Sequence, residues 1–243
     1  MKVTKYVFVL ALLACFSCND KEDRGDLSLN IKLQYNGEPV VMFDNYIYPD
    51  GQDFFFSRFS FYMSDIDLGN GALDGIYFLN TTSAHNTLED AVQGFDYFIR
   101  DLPEGDYSQF SFKVGIPADI NATSPSDYSS DSDLSLTAEH WPSWESYIFS
   151  KTEGKLDSNG DGMYDTGFAF HIGSDPALRT VNLNKDFTIT NGEISQMEII
   201  IEMDKIFEGP SGLYDILAMP NPDQLSEIDA INEIADNVAT AIN

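Results

Sequence analysis

The chain has 243 residues and a formal net charge of −27, with 40 acidic side chains against 13 Lys and Arg. That balance argues against nucleic acid as a partner, because phosphates call for Lys and Arg, and against docking of the protein surface on anionic lipid. Both cysteines, Cys15 and Cys18, fall in the N-terminal leader, so the folded part has no disulfide framework, thiolate nucleophile or Cys metal site.

The leader comes first. Lys2 and Lys5 form a basic n-region and Tyr6 to Phe16 an apolar h-region, too short to span a bilayer as a stable helix. A cysteine following an apolar run and a small residue resembles a bacterial lipobox. Cleavage before Cys18 is expected over cleavage before Cys15, because Asn19-Asp20-Lys21-Glu22-Asp23 follows. Such an acidic run resembles the surface-export signal of Bacteroidota lipoproteins. Residues 1–17 therefore read as a lipoprotein signal peptide, 18–26 as an acidic tether and 27–243 as one domain. Cys18 is the lipidation site, and the lipid is the chain's only membrane contact.

Period-two patterning then dominates. Leu27, Leu29, Ile31, Leu33 and Tyr35 alternate with polar residues, which predicts a half-buried strand. Asn36-Gly37 marks a turn, with Val40 to Phe43 returning as the partner strand. The same rule holds within Asp53 to Leu68 and again at Phe110, Phe112, Val114 and Ile116. Pro117 to Ser135, rich in Ser, Asp, Asn and Thr, reads as a loop or cover segment. Core patterning returns at 147–149, 168–172, 187–189 and 197–203. Closely spaced strands with no helices between them predict a mainly β domain, an antiparallel sandwich or barrel. Leu225, Ile228, Ile231, Ala235, Val238 and Ile242 recur at helical spacing and predict a C-terminal α-helix. Asn221 is the expected N-cap, with Pro222 at the first helical position.

Residues Glu139 to Asp175 concentrate the chemistry: both tryptophans, two of three histidines and a set of calcium-type ligands. Calcium takes six to eight oxygens, presented by a tight loop at alternate positions. Asp157, Asn159 and Asp161 occupy positions one, three and five, Gly162 is the turn glycine, Met163 offers its carbonyl and Asp165 falls at position nine. Position twelve is Phe168, so this is not an EF-hand. It is a D-x-N-x-D-G-x-x-D loop between strands, and the competing reading is an acidic hairpin turn. His140 and His171 flank this loop and approach each other if 147–153 pairs with 168–172. Imidazole suits copper, and two histidines suit Cu(I) better than zinc. The alternative is a satisfied core histidine at His171 and core tryptophans at Trp141 and Trp144. His85 stands in a polar stretch with no partner evident.

The order of several motifs adds to this. His140-Trp141-Pro142-Ser143-Trp144, Ser146-Tyr147-Ile148-Phe149, Glu153-Gly154 and Phe170-His171-Ile172-Gly173 resemble the MbnP-like copper-binding family. Phe59 to Ile66, Phe112 to Pro117 and Ile234 to Asn237 fit the same pattern. The resemblance implies a secreted or surface β-sandwich. It also implies Cu(I) held by His140, His171 and a tryptophan oxidised to kynurenine, Trp141 or else Trp144, with oxidation by a dihaem peroxidase-like partner. Three departures stand out. The tryptophans are three residues apart instead of two, Ser146 replaces a glycine, and no histidine precedes the C-terminal helix.

The expectation is therefore an outer-membrane, lipid-anchored surface protein that binds copper and carries a structural calcium loop. The alternative is a calcium-stabilised adhesion or ligand-binding module without copper. No Ser-His-Asp or Cys-His order supports an enzyme.

Overall fold

The computed structural model describes residues 23–69 and 72–243. The leader and the expected lipidation site, Cys18, lie outside the described residues. β1 (Arg24–Tyr35) is the strand its alternation predicts, with Leu27, Leu29, Ile31 and Leu33 all buried. Asn36 and Gly37 follow at φ 51° and 82°, the left-handed pair that a two-residue hairpin turn requires. The return strand β2 is shorter and earlier than expected, Glu38–Pro39. Val40 and Met42 are buried but outside any strand, and Phe43 at φ 68° turns the chain away.

β3 (Tyr46–Ile47) precedes the longest strand, β4 (Asp53–Asp67), which pairs with β5 (Ala72–Asn80). A short helix, α1 (Leu88–Gln93), capped by Thr87, leads into β6 (Phe95–Pro103). β7 (Gly105–Tyr107) and β8 (Phe110–Val114) follow. α2 (Ala118–Asn121) opens the cover segment, which continues through single 3-10 turns to β9 (His140–Trp141). Then come β10 (Ser146–Leu156), β11 (Thr166–Gly173), β12 (Arg179–Leu183), β13 (Phe187–Ile189) and β14 (Ile194–Glu202). α3 (Asp204–Phe207), the small hairpin of β15 (Glu208–Gly209) and β16 (Gly212–Leu213), and α4 (Ile228–Ala241) complete the chain.

The strands form two main sheets and two small ribbons. In the smaller main sheet β1 pairs with β14, β2 and β6; in the larger the order is β11-β10-β4-β8-β12, with β3 and β5 also on β4 and β9 on β10. All pairings are antiparallel except β1 with β14, which run parallel from Asp26↔Ile194 to Gln34↔Glu202. A parallel pair needs a long crossover, and here most of the chain lies between its two members. The core between the sheets is strongly aromatic. Phe207, delivered by α3, packs on Phe54, Phe56, Phe168 and Phe170 with ring centroids 5.4–6.0 Å apart, mostly in the edge-to-face geometry that aromatic quadrupoles favour.

The C-terminal helix is present but starts later than Asn221. Leu225 to Glu227 is a 3-10 turn, and the Glu227 carboxylate accepts the backbone N–H groups of Asp223 and Gln224 at 3.0 and 3.1 Å. α4 buries Ile231, Ile234, Ala235 and Val238, while Leu225 remains exposed. No helix among the described residues is long and apolar enough to cross a membrane.

Candidate metal centre

The strands around the candidate residues send alternate side chains to opposite faces. On β11, Phe168, Phe170 and Ile172 enter the core, which puts His171 on the other face. The register sets Lys151 of β10 opposite His171, and Arg58 of β4 opposite Glu153. This outer face carries charge and would be open to water were it not for the cover segment. The 3-10 turn Thr137–Glu139 and β9 lie over it and bury Glu139 and Lys151 at 4% and 5% exposure.

Burying charge is costly unless each group finds a partner, and here they do. Arg58 Nη2 donates to Glu139 Oε1 at 2.7 Å, and Lys151 Nζ donates to the Ala138 carbonyl at 2.6 Å. Lys151 Nζ also lies 2.9 Å from Glu139 Oε2 as an ion pair. That oxygen has no donor in hydrogen-bond geometry, so the contact is charge without alignment. Glu153 Oε1 is 2.8 Å from His171 Nε2 and 4.0 Å from Arg58 Nη1. The hydrogen bond from His171, helped by the nearby cations, holds the Glu153 carboxyl below its usual range. Two cations, Arg58 and Lys151, thus face two carboxylates, Glu139 and Glu153, beside the His171 ring.

Trp141 closes the site from the cover side. Its ring centroid is 5.6 Å from that of His171 and 4.3 Å from that of Trp144. Trp144 itself packs against the core. Of the two tryptophans, Trp141 is therefore the one in contact with a histidine. His140 precedes Trp141 in β9 and faces the other way, 5.0 Å from the Tyr147 ring. Burial pushes its pKa down, and a hydrogen bond to the Thr123 backbone opposes that shift. The expected pairing of 147–153 with 168–172 is present, yet it brings His171 to Trp141 and leaves His140 against Tyr147. Among the described residues no group of three or more His, Cys, Asp or Glu side chains is gathered. A metal here would be held by few donors, of imidazole type, a set that fits copper better than a hard cation.

The acidic loop is a separate structure at the β10–β11 hairpin. The Asp157 carboxylate, 2% exposed, accepts the N–H groups of Gly160, Asp161 and Gly162 at 2.8, 3.2 and 2.7 Å. Asn159 accepts from Asp161, and Asp161 from Met163, each at 2.9 Å. Asp165 is held by Ser158 and Asn159, and the Ser158 backbone hydrogen bond leads the lowering of its pKa. Gly160 and Gly162 have φ of 75° and 85°, the left-handed backbone that glycine tolerates.

Sequence reasoning missed Arg58, Glu139 and Lys151 as site residues, and Glu153 entered only as half of a motif. Arg58 and Glu139 are 81 positions apart, and only the β4–β10 register and the fold of the cover join them. His85 is also different from its reading. It is fully buried, its Nδ1 donates to the Thr81 carbonyl at 2.8 Å, and its Nε2 accepts the Leu33 N–H at 3.2 Å.

Fold and site together define a two-sheet β protein whose tryptophan–histidine pair is held between a cover segment and a charge-balanced sheet face. The chain belongs to the MbnP family, whose model matches residues 24–221 and so leaves α4 beyond the matched span. Among solved structures it is similar to MbnP from Methylosinus trichosporium. The TM-score is 0.52 at 11% identity, over 79% of this chain and 83% of that one. At that identity the likeness is one of fold. No curated protein matches the sequence.

Proposed function

We propose that this protein binds copper as Cu(I) in the cell envelope, through His171 and an oxidised Trp141, with His140 as a further ligand. The observation that carries the reading is the Trp141–His171 contact, built by β9 and β11 in a chain of the MbnP family. Bound copper would be cargo to be acquired or handled, and the role is one of binding rather than catalysis. The family resemblance supplies the oxidation of Trp141 to kynurenine and its agent, a dihaem peroxidase-like partner. Anchoring at the outer membrane through a lipid on Cys18, facing the cell surface, belongs to the same reading. So does calcium in the 157–165 loop, where Asp157, Asn159, Asp161, the Met163 carbonyl and Asp165 would supply oxygens.

The test is a competition titration with a Cu(I) chelator, using protein from the native host so that any tryptophan oxidation is present. The two histidines should be unequal. His171→Ala should lose Cu(I), and His140→Ala should lose less, since that imidazole must leave Tyr147 to reach the site. Trp141→Phe should remove any kynurenine absorbance and its mass shift while the fold persists. Equal competition by wild type and the His140→Ala/His171→Ala double variant would sink the copper reading.

A calcium-stabilised adhesion or ligand-binding module is the second reading. It is favoured by a cleft of about 330 Å³ beside Trp144, lined also by Asn121, Ser146 and Asp175. The Ser174 hydroxyl in this cleft is buried without a hydrogen-bond partner.

A further inference from the structure

The hydrogen bond between His171 and Glu153 restricts what His171 can do. A carboxylate only accepts hydrogen bonds, so the Nε2 atom that faces Glu153 Oε1 at 2.8 Å must carry a proton. A neutral imidazole then has its lone pair on Nδ1. Glu153 is itself held in place. Its backbone is paired opposite Arg58, the Arg58 guanidinium is 4.0 Å from the same Oε1, and Arg58 is fixed at its other end by the buried Glu139. Lys151 faces Glu139 from the same ledge. The four charged groups form one chain that runs from the cover segment, through two sheet strands, to the imidazole. The residue after Glu139 but one is Trp141, the ring that packs on His171. One charge network therefore sets both the height of the cover, and with it Trp141, and the orientation of the histidine.

We propose that Glu153 is a positioning residue that fixes His171 in its Nε2–H tautomer and reserves Nδ1 as the atom that takes a soft metal ion. Carboxylates that accept the second N–H of a histidine ligand are a general means of setting ligand geometry and basicity, and their loss costs 10- to 100-fold in metal affinity. The proposal rests on the copper reading for the identity of the metal, but the tautomer itself is a property of the metal-free protein.

The experiment has two arms. In the first, nitrogen-15 NMR of the metal-free protein above the histidine titration range reads which ring nitrogen of His171 is protonated. Wild type should show Nε2–H alone. Glu153→Gln, which keeps the size but can donate as well as accept, should shift the balance towards Nδ1–H, and Glu153→Ala should leave a mixture. In the second arm, chelator competition with Cu(I) should show both variants weaker by 10- to 100-fold, with near-ultraviolet circular dichroism reporting that the tertiary packing is kept. Glu153→Asp keeps the charge and serves if either variant does not fold; its shorter reach should give an intermediate loss. A wild-type His171 protonated at Nδ1, or an Nε2–H tautomer unchanged in both Glu153→Gln and Glu153→Ala, overturns the proposal. So does an unchanged Cu(I) affinity in variants whose tautomer has shifted. Equal competition by wild type and His171→Ala would instead remove copper as the metal, while the tautomer in the metal-free protein still decides whether Glu153 sets it.

Discussion

His85 shows what a single residue contributes when its surroundings, not its neighbours in sequence, decide its role. Polar flanks hide it, because Thr81, Ser83 and Asn86 give no local sign of burial. In the fold it ends the 3-10 turn Thr82–His85, where its ring donates to the Thr81 carbonyl just before that turn and accepts the Leu33 N–H of β1. Accepting at Nε2 requires the neutral form, and burial accordingly pushes its pKa below 6.5. The unfolded chain, with a pKa near 6.5, therefore binds the proton more readily than the folded one. Stability from this residue is complete above about pH 6.5 and falls as pH drops from there towards the folded-state pKa. Urea denaturation of wild type and His85→Gln at pH 8 and pH 5.5 should show a larger loss on acidification in wild type. Parallel losses in the two proteins would mean that His85 titrates alike folded and unfolded. The site residues divide in the same manner. His140, His171 and Trp141 stand out in the sequence by residue type, and of the three the fold brings only His171 and Trp141 together. Glu139 and Lys151 look like two of many charges until register and cover bury them together.

At the scale of elements, β1 was legible because its alternation met a half-buried face, and β4 was legible as a strand although Phe59 to Ser64 are buried on both faces. The parallel partnership of β1 and β14 was not, since nothing in either segment encodes which distant strand lies beside it. Glycine in the Glu153-Gly154 motif has a mechanical explanation. The β10–β4 register shifts between these two residues, and a Cβ on Gly154 would stand 2.0 Å from the Phe55 carbonyl oxygen. That oxygen belongs to the backbone of a central strand and cannot step aside. Gly154→Ala should cost at least about 2 kcal/mol by overpacking and should move Glu153 away from His171, seen as a lower denaturation midpoint together with weaker Cu(I) binding. A normal midpoint would show that the strands can part there at no cost. The 157–165 loop separates two kinds of carboxylate. Asp157 holds three backbone N–H groups, so Asp157→Ala should destabilise the protein by about 1–2 kcal/mol even in chelator. Asp161 holds one, so Asp161→Ala should matter mainly when millimolar calcium is present, by removing the stabilisation that a ligand of the folded state provides. A wild-type melting temperature indifferent to calcium would leave the loop as a hydrogen-bonded turn.

For the molecule as a whole, net charge is the dominant long-range term. With 40 acidic and 13 basic side chains, most carboxylates have no cation to face. The surface pairs that do form, such as Lys32 with Glu198 and Lys113 with Asp65, are of the exposed kind that contributes little. Compaction brings the unpaired carboxylates closer than they are in the unfolded chain, so self-repulsion opposes folding. Salt shortens the screening length from about 30 Å at 0.01 M to about 3 Å at 1 M. It should therefore relieve more repulsion than it costs in lost surface pairs, and the melting temperature should rise with sodium chloride. The Glu139–Lys151 pair is buried and should respond little, whereas Arg58 beside it is partly exposed. Calcium at matched ionic strength should raise the melting temperature of wild type further than sodium does. The excess should shrink in Asp161→Ala, which separates an ion held in one loop from the general effect of screening. A melting temperature that falls as sodium chloride increases would show that the few ion pairs outweigh the repulsion within the acidic excess.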